Sequence, residues 1–103
     1  MMNETIIKEV EKIVEDTTYG NGTVTGEYIL FHSGMNDIET YIDIEGCNTI
    51  EEVKEVVTNY YEGYDVNEEA LLWLQGGNAP DIHEIVDTLD EVEETLEKIA
   101  MAL

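Results

Sequence analysis

Residues 37–46, DIETYIDIEG, alternate strictly between two kinds of side chain. One set of alternate positions is apolar or β-branched: Ile38, Thr40, Ile42 and Ile44. The positions between them are acidic, except that Tyr41 interrupts the row. Because successive side chains of a strand point to opposite faces, this stretch predicts a strand with one buried face and one carboxylate face.

The residues before this strand predict its partner in a hairpin. Residues 23–33, TVTGEYILFHS, are rich in the β-branched and aromatic side chains that favour strands. Gly26 within this stretch indicates a β-bulge. The polar residues 33–36, SGMN, predict the loop that joins the two strands.

Apolar spacing predicts one helix ahead of the hairpin. Residues 3–16 carry Ile and Val at helical intervals, and either Asn3 or Thr5 is placed to cap the start of that helix. The run YGNG at residues 19–22 combines glycine and asparagine, which is typical of a turn. The first helix should therefore end before the hairpin begins.

Two further helices are predicted after the hairpin. Thr49 and Glu52 have the spacing of a capping box ahead of an apolar run that includes Tyr60 and Tyr61. Asp65 or Asn67 is placed to start a short helix that carries Trp73, and the glycines at residues 76–77 should end it.

The last predicted helix begins near Pro80, which suits a first helical turn, and runs to the C-terminus. Its apolar residues form a heptad pattern. One set lies seven residues apart, namely Ile82, Leu89, Leu96 and Leu103, and a second set lies between them, namely Ile85, Val92 and Ile99. The stripe is wide, which favours packing onto the hairpin and the Tyr60/Tyr61 helix. A homodimer through this helix is the alternative.

These elements predict an α+β fold in a single domain, residues 1–103. An N-terminal helix precedes a β-hairpin or small antiparallel sheet, and three helices follow, the last of them long and amphipathic. We expect the apolar face of the hairpin to pack against four side chains of these helices: Val53, Val57, Leu89 and Val92.

The net charge of the chain limits the classes of partner that it can bind. The chain has 25 Asp and Glu against 4 lysines and no arginine, so its formal net charge is -21. Such a surface repels nucleic acid and anionic membranes, so direct binding to either is not expected. The expected partner is a basic protein surface. No apolar run has the length of a signal peptide or a membrane span, and a single cysteine, Cys47, fits a reducing cytoplasm.

Candidate catalytic chemistry is sparse. His32 and His83 lie far apart in sequence, and neither has the spacing of a zinc site. Cys47 has no evident base to activate it, so we interpret it as structural. No phosphate-binding glycine loop and no calcium-binding loop occurs. We therefore expect neither an enzyme nor a bound cofactor or metal.

The carboxylates themselves form rows that a partner can bind. The strand predicts one row, with Tyr41 in one place, made of Glu39, Asp43 and Glu45. The outer side of the last helix predicts a second row, made of Asp87, Asp90, Glu91 and Glu94. Alternate positions of a strand stand about 6.8 Å apart, and this basic step of the row is of the same order as the separation of phosphates along DNA. These rows favour a DNA mimic that occupies the basic groove of a nucleic-acid-binding protein.

Three alternatives to mimicry stay open. An acidic adaptor or antitoxin-like protein could bind a basic protein without imitating DNA. A surface adapted to high salt, or an ordinary solvated surface, could also be acidic.

The C-terminal half, from about Thr49 to Leu103, resembles small acidic proteins of phages and prophages of Gram-positive bacteria. The resemblance rests on Asp65, the Leu72-Trp73 pair, Pro80 and the acidic heptad helix. It implies a mobile element inside a bacterial host cell, and hence the bacterial cytoplasm. By analogy with small acidic phage proteins that block restriction or CRISPR nucleases, it favours an inhibitor of the anti-restriction or anti-CRISPR type.

Overall fold

A helix, three strands and three more helices follow one another along the part of the chain that the computed structural model describes, residues 2–34, 38–75 and 82–103. Their bounds are α1 Glu4–Thr18, β1 Gly22–Val24, β2 Tyr28–Ser33, β3 Ile38–Asp43, α2 Ile50–Glu62, α3 Val66–Gln75 and α4 Ile82–Ala102. This order confirms the predicted α+β fold. The predictions for the loop residues 35–36, the strand start at Asp37, the glycines at 76–77 and Pro80 concern positions outside the described ranges.

Helix α1 begins and ends with its own capping interactions. The Asn3 side chain accepts a hydrogen bond from the Ile6 amide at 2.9 Å, which makes Asn3 the cap. The helix ends two residues later than predicted, where Tyr19 and Gly20 adopt left-handed backbone angles with φ of 56° and 83°. Both of their amides donate to the Glu15 carbonyl, which satisfies an otherwise unpaired group at the helix end. The predicted turn is thereby confirmed at residues 19–20, whereas Gly22 already belongs to β1.

The predicted strand 23–33 is two strands, and the predicted bulge at Gly26 is wrong. The chain reverses at Gly26, where the Thr25 amide donates to the Tyr28 carbonyl at 2.9 Å. The Thr25 hydroxyl also accepts hydrogen bonds from the amides of Glu27 and Tyr28. A threonine that caps its own turn, followed by a glycine, therefore separates β1 from β2.

The three strands form an antiparallel sheet in the order β1-β2-β3. The predicted hairpin is confirmed as β2 and β3, with Tyr28 opposite Asp43 and Ser33 opposite Ile38. One face of this hairpin is buried, and it carries Ile29, Phe31, Ile38, Thr40 and Ile42. Strand β3 ends at Asp43, three residues earlier than predicted. Ile44 nevertheless stays buried and its amide donates to the Glu27 carbonyl.

Helices α2 and α3 start at the residues that their caps predict. The Thr49 hydroxyl accepts from the Glu52 amide at 3.2 Å. The Asp65 carboxylate accepts from the amides of Asn67 and Glu68. Both pairings supply acceptors to first-turn amides that have no partner within the helix.

The apolar stripe of α4 lies in the interior of its own chain. Its buried residues are Ile85, Thr88, Leu89, Val92, Leu96, Ile99 and Ala100. They belong to the same core as Ile38, Ile42 and Ile44 of the hairpin and Val53 and Val57 of α2, as predicted. At the ends of the heptad pattern, Ile82 is 44% exposed and Leu103 is half-buried. The packing of α4 within the chain is therefore the arrangement found, rather than a seam left free for a second copy.

Gly22→Ala is expected to destabilise the fold by about 1–3 kcal/mol, because a Cβ at Gly22 would lie 2.6 Å from Val14 Cγ1 in the core. Gly26→Ala is the matched control, since its Cβ would meet only Ile7 Cδ1, at 3.6 Å. Urea unfolding of the two variants measures the difference. Equal midpoints would contradict the close packing of α1 on β1.

Candidate functional site

The predicted carboxylate row on the last helix is a continuous exposed face. Asp87, Asp90, Glu91 and Glu94, called the α4 row below, are all exposed. Residues three and four apart lie on one side of a helix, so the four carboxylates stand next to one another. They occupy the side of α4 opposite its buried stripe.

Helix α4 carries carboxylates at a linear density of the same order as the phosphates of one DNA strand. Its 21 residues span about 32 Å and include seven carboxylates, so one occurs per ~4.5 Å of axis. One strand of DNA carries one phosphate per ~3.4 Å of axis. A helix of this kind can therefore present charge to a phosphate-binding groove at a comparable spacing.

One cation lies within this surface. Lys98 Nζ is 3.2 Å from Glu94 Oε1, one helical turn away. Both side chains are more than half exposed, so solvent and salt weaken their attraction. Glu94 is thus the one member of the α4 row that the structure places beside a lysine.

The strand row is shorter than predicted. Glu39, Tyr41 and Asp43 are exposed on β3, whereas Glu45 lies in the turn beyond the strand. The Asp43 carboxylate accepts a hydrogen bond from the Glu45 amide at 2.9 Å and so holds that turn. Glu45 is exposed but does not continue the strand, because the Asp43 side chain turns the chain away.

The exposed face of the hairpin also has an aromatic centre that the sequence pattern did not predict. Tyr28 and Leu30 of β2 are half-buried on the same face as Tyr41, and Leu30 lies directly opposite Tyr41. The rings of Tyr28 and Tyr41 stack with their centroids 5.3 Å apart. The alternation of residues 28–33 could have revealed this face, once β2 was recognised as a separate strand.

Carboxylates surround this aromatic pair. Partial burial raises the pKa of Tyr41, and the negative charges of Asp43 and Glu27 raise it further. Tyr28 and Glu45 contribute smaller effects of the same sign. The outer face of the sheet is thus an apolar centre with an acidic rim, and its electrostatic potential attracts a cation.

The two rows face different ways. The inner face of the sheet and the buried stripe of α4 share one core. The α4 row and the outer face of the sheet both point away from that core, so they are separate surfaces on different elements.

A polar cleft of about 420 Å³ extends the α4 row toward the end of α1. Its lining includes Thr17, His32, Glu91 and Glu94. Two members of the α4 row therefore border this recess.

Tyr64, between α2 and α3, is affected by several nearby groups, including Asp90 of the α4 row. Burial raises the pKa of the Tyr64 phenol most, and Glu69, Tyr60, Glu93 and Asp90 raise it further. The ionised form of Tyr64 is thus disfavoured in the folded chain.

Raising the pH above about 10 is expected to destabilise the fold, because unfolded tyrosine then loses its proton while folded Tyr64 keeps it. The folded state then binds more protons than the unfolded state, so stability falls as pH rises from the ordinary tyrosine pKa to the raised folded one. Urea midpoints measured from about pH 8 to pH 12 test this.

Two variants identify the group responsible for this alkaline loss. Tyr64→Phe should reduce the loss of stability, whereas Tyr19→Phe, at a side chain that is 90% exposed, should leave it unchanged. Identical profiles for Tyr64→Phe and the parent chain would contradict the assignment.

Cys47, His32 and His83 lie in three different parts of the fold. Burial raises the pKa of the Cys47 thiol, and the carboxylates of Glu52, Asp43 and Glu55 raise it further, so the thiol stays protonated at neutral pH. His32 is half-buried in β2 and His83 is exposed on α4. Within the described ranges, no group of three or more His, Cys, Asp or Glu side chains is arranged to hold a metal ion.

No family model, curated protein or solved structure matches this chain. The resemblance of residues 49–103 to small acidic phage proteins therefore stays a prediction. Of the helices in the described part of the chain, none combines the length and the apolar character that crossing a membrane requires.

Proposed function

We propose that this protein is a DNA mimic of the anti-restriction or anti-CRISPR type, which binds and inhibits a nucleic-acid-binding protein. The observation that carries the proposal is the α4 row, four exposed carboxylates in a continuous series on a helix whose charge spacing approaches that of a DNA strand. The partner is a basic groove that normally holds phosphates.

The binding free energy would come from released counterions as well as from direct contacts. A basic groove that binds DNA does so largely because each neutralised phosphate releases a condensed counterion. A rigid helix that offers carboxylates at similar spacing draws on the same Lys and Arg side chains of the partner. The net charge of -21 also steers such a partner toward the protein from a distance.

The acidic adaptor is a second candidate, and the outer face of the sheet favours it. Exposed aromatic side chains such as Tyr41 are typical anchors of protein interfaces. Leu71 and Leu72 on α3 are also more than half exposed. A partner that used these apolar groups would bind without imitating the geometry of DNA.

Affinity capture distinguishes the two candidates. The immobilised protein is incubated with bacterial lysate at low salt, and bound proteins are eluted with duplex DNA in one arm and with an uncharged polymer in the other. A DNA mimic predicts that DNA releases a nucleic-acid-binding protein. Retention of the partner in excess DNA, with release only by salt or denaturant, would contradict mimicry and favour the adaptor.

A further inference from the structure

We propose that the free edge of β3 docks an extended basic segment of the partner protein, which pairs with it as a fourth strand of the sheet. The proposal deepens the proposed function, because it gives the conformation and chemistry of one partner segment. The docking proposal takes one premise from the proposed function, namely that the partner is positively charged.

The direction of the backbone groups of β3 follows from the hydrogen bonds of the sheet. Strand β3 pairs with β2 on one side, and within the described residues no strand pairs with its other side. The Ile44 amide donates to the Glu27 carbonyl. In an antiparallel pair, every second residue directs its N–H and C=O toward the neighbouring strand. Ile38, Thr40 and Ile42 therefore bond to β2.

The residues between them direct their backbone groups outward. Glu39, Tyr41 and Asp43, called the edge residues below, turn their N–H and C=O groups to the free edge of the sheet. The hydrogen bonds of β2 support this assignment. The Tyr28 carbonyl and the His32 amide, which belong to residues opposite Asp43 and Glu39, bond on the β1 side rather than to β3. An added strand would pair with backbone groups that no other strand of the described residues uses.

The same three edge residues also specify which side chains the added strand should carry. All three are exposed on the outer face of the sheet. Opposite residues of paired strands bring their side chains together on one face, so Arg or Lys fits opposite Glu39 and Asp43. The stacked rings of Tyr28 and Tyr41 offer a further surface for a guanidinium group.

Charge complementarity selects this occupant over a second copy of the chain. Pairing β3 with another β3 would place carboxylates against carboxylates, in addition to the repulsion between two chains that each carry a net charge of -21. Edge strands are commonly protected by Lys, Pro or a bulge, and β3 carries none of these. Its carboxylates prevent self-pairing and leave the edge open to a basic strand.

Synthetic peptides test the docking mode with the 103-residue chain. An eight-residue peptide that alternates arginine and valine is compared with two N-methylated forms. In antiparallel pairing the arginine amides face β3, so methylating them removes the hydrogen bonds. Methylating the valine amides leaves those bonds intact while changing the peptide to the same extent, which makes that form the matched control.

The unmodified and valine-methylated peptides should bind, and the arginine-methylated peptide should bind at least about tenfold more weakly. Amide hydrogen exchange should slow at the three edge residues. Equal affinity for all three peptides, absence of binding, or protection only elsewhere would overturn the proposal. A dimer formed through β3 in the absence of peptide would identify a second copy as the occupant, and would overturn it as well.

Substitutions distinguish peptide binding at the β3 edge from peptide binding at the α4 row. Glu39→Gln and Asp43→Asn should each weaken the unmodified peptide about two- to fivefold. Asn at position 43 keeps an oxygen that can accept from the Glu45 amide, so the turn is preserved. Neutralising the α4 row should leave peptide binding nearly unchanged. An equal loss from both sets would overturn docking at β3, whereas failure of DNA to compete for the partner would affect only the proposed mimicry.

Discussion

Ile42→Asp is expected to unfold the domain. Ile42 is 1% exposed on β3, and its side chain lies in the core shared by the sheet and the helices. Losing a buried isoleucine costs about 2–5 kcal/mol, and an unpaired buried carboxylate costs more. The sum is comparable with the entire stability of a small domain, about 5–15 kcal/mol. Circular dichroism and a thermal melt would show loss of the cooperative transition.

Tyr41→Asp is the matched control, because it introduces the same carboxylate one residue away on the other face of β3. Tyr41 is 53% exposed, so the new charge stays in water. The expected cost is about 1 kcal/mol, chiefly from losing the stack with Tyr28. If Ile42→Asp melted like the parent chain, or Tyr41→Asp unfolded it instead, the assignment of the inner face would be wrong.

Neutralising the α4 row should have the largest effect on partner binding. The fourfold variant Asp87→Asn, Asp90→Asn, Glu91→Gln and Glu94→Gln keeps the side-chain shapes and removes four phosphate surrogates. Each lost phosphate contact lowers the slope of log affinity against log salt by about 0.9, so the slope should fall by about 3 to 4. Isothermal titration of the partner at several salt concentrations measures this.

The control for this prediction changes the same amount of charge elsewhere. Four of the exposed carboxylates of helix α1 serve for this, at Glu9, Glu11, Glu15 and Asp16. Their neutralisation should leave the salt slope close to that of the parent chain. Removing like charges three and four residues apart stabilises a helix by a few tenths of a kcal/mol, so neither variant should lose binding by unfolding. Equal slopes for the two variants would mean that net charge, rather than the α4 row, determines binding.

Much of the fold was predictable, because its signals are local and agree with one another. The alternation around Ile42 correctly identified the buried face of β3, and the cap at Thr49 correctly located the start of α2. Two candidate caps were predicted for each of α1 and α3, and the structure uses Asn3 and Asp65. The heptad pattern correctly identified the buried stripe of α4. The pattern alone left open whether that stripe packs within the chain, since a coiled-coil seam and an internal face have the same period.

The division of residues 23–33 into two strands was not predicted. The turn depends on the Thr25 hydroxyl accepting from two amides, an interaction that a β-rich composition conceals. This error also concealed part of the site. The alignment of Tyr28 and Leu30 with Tyr41 depends on the register between β2 and β3. The alternation within one strand gives no information about its register with another strand.

The two acidic rows differed in how far sequence could describe them. Helical spacing fixes the exposure of Asp87, Asp90 and Glu91 directly, because the opposite side of α4 carries a mostly apolar buried stripe from Ile85 to Ala100. The strand row depended on where β3 ends. The hydrogen bond from the Glu45 amide to Asp43 ends it early, and this local competition between side chain and backbone was not evident from alternation.

The most direct test of DNA mimicry is a competition titration of the purified partner with duplex DNA and this protein, repeated across salt concentrations. Mimicry predicts mutually exclusive binding: the apparent Kd for the protein rises in proportion to DNA concentration, and both affinities fall steeply with salt. A ternary complex of partner, DNA and protein, formed without mutual weakening, would contradict it.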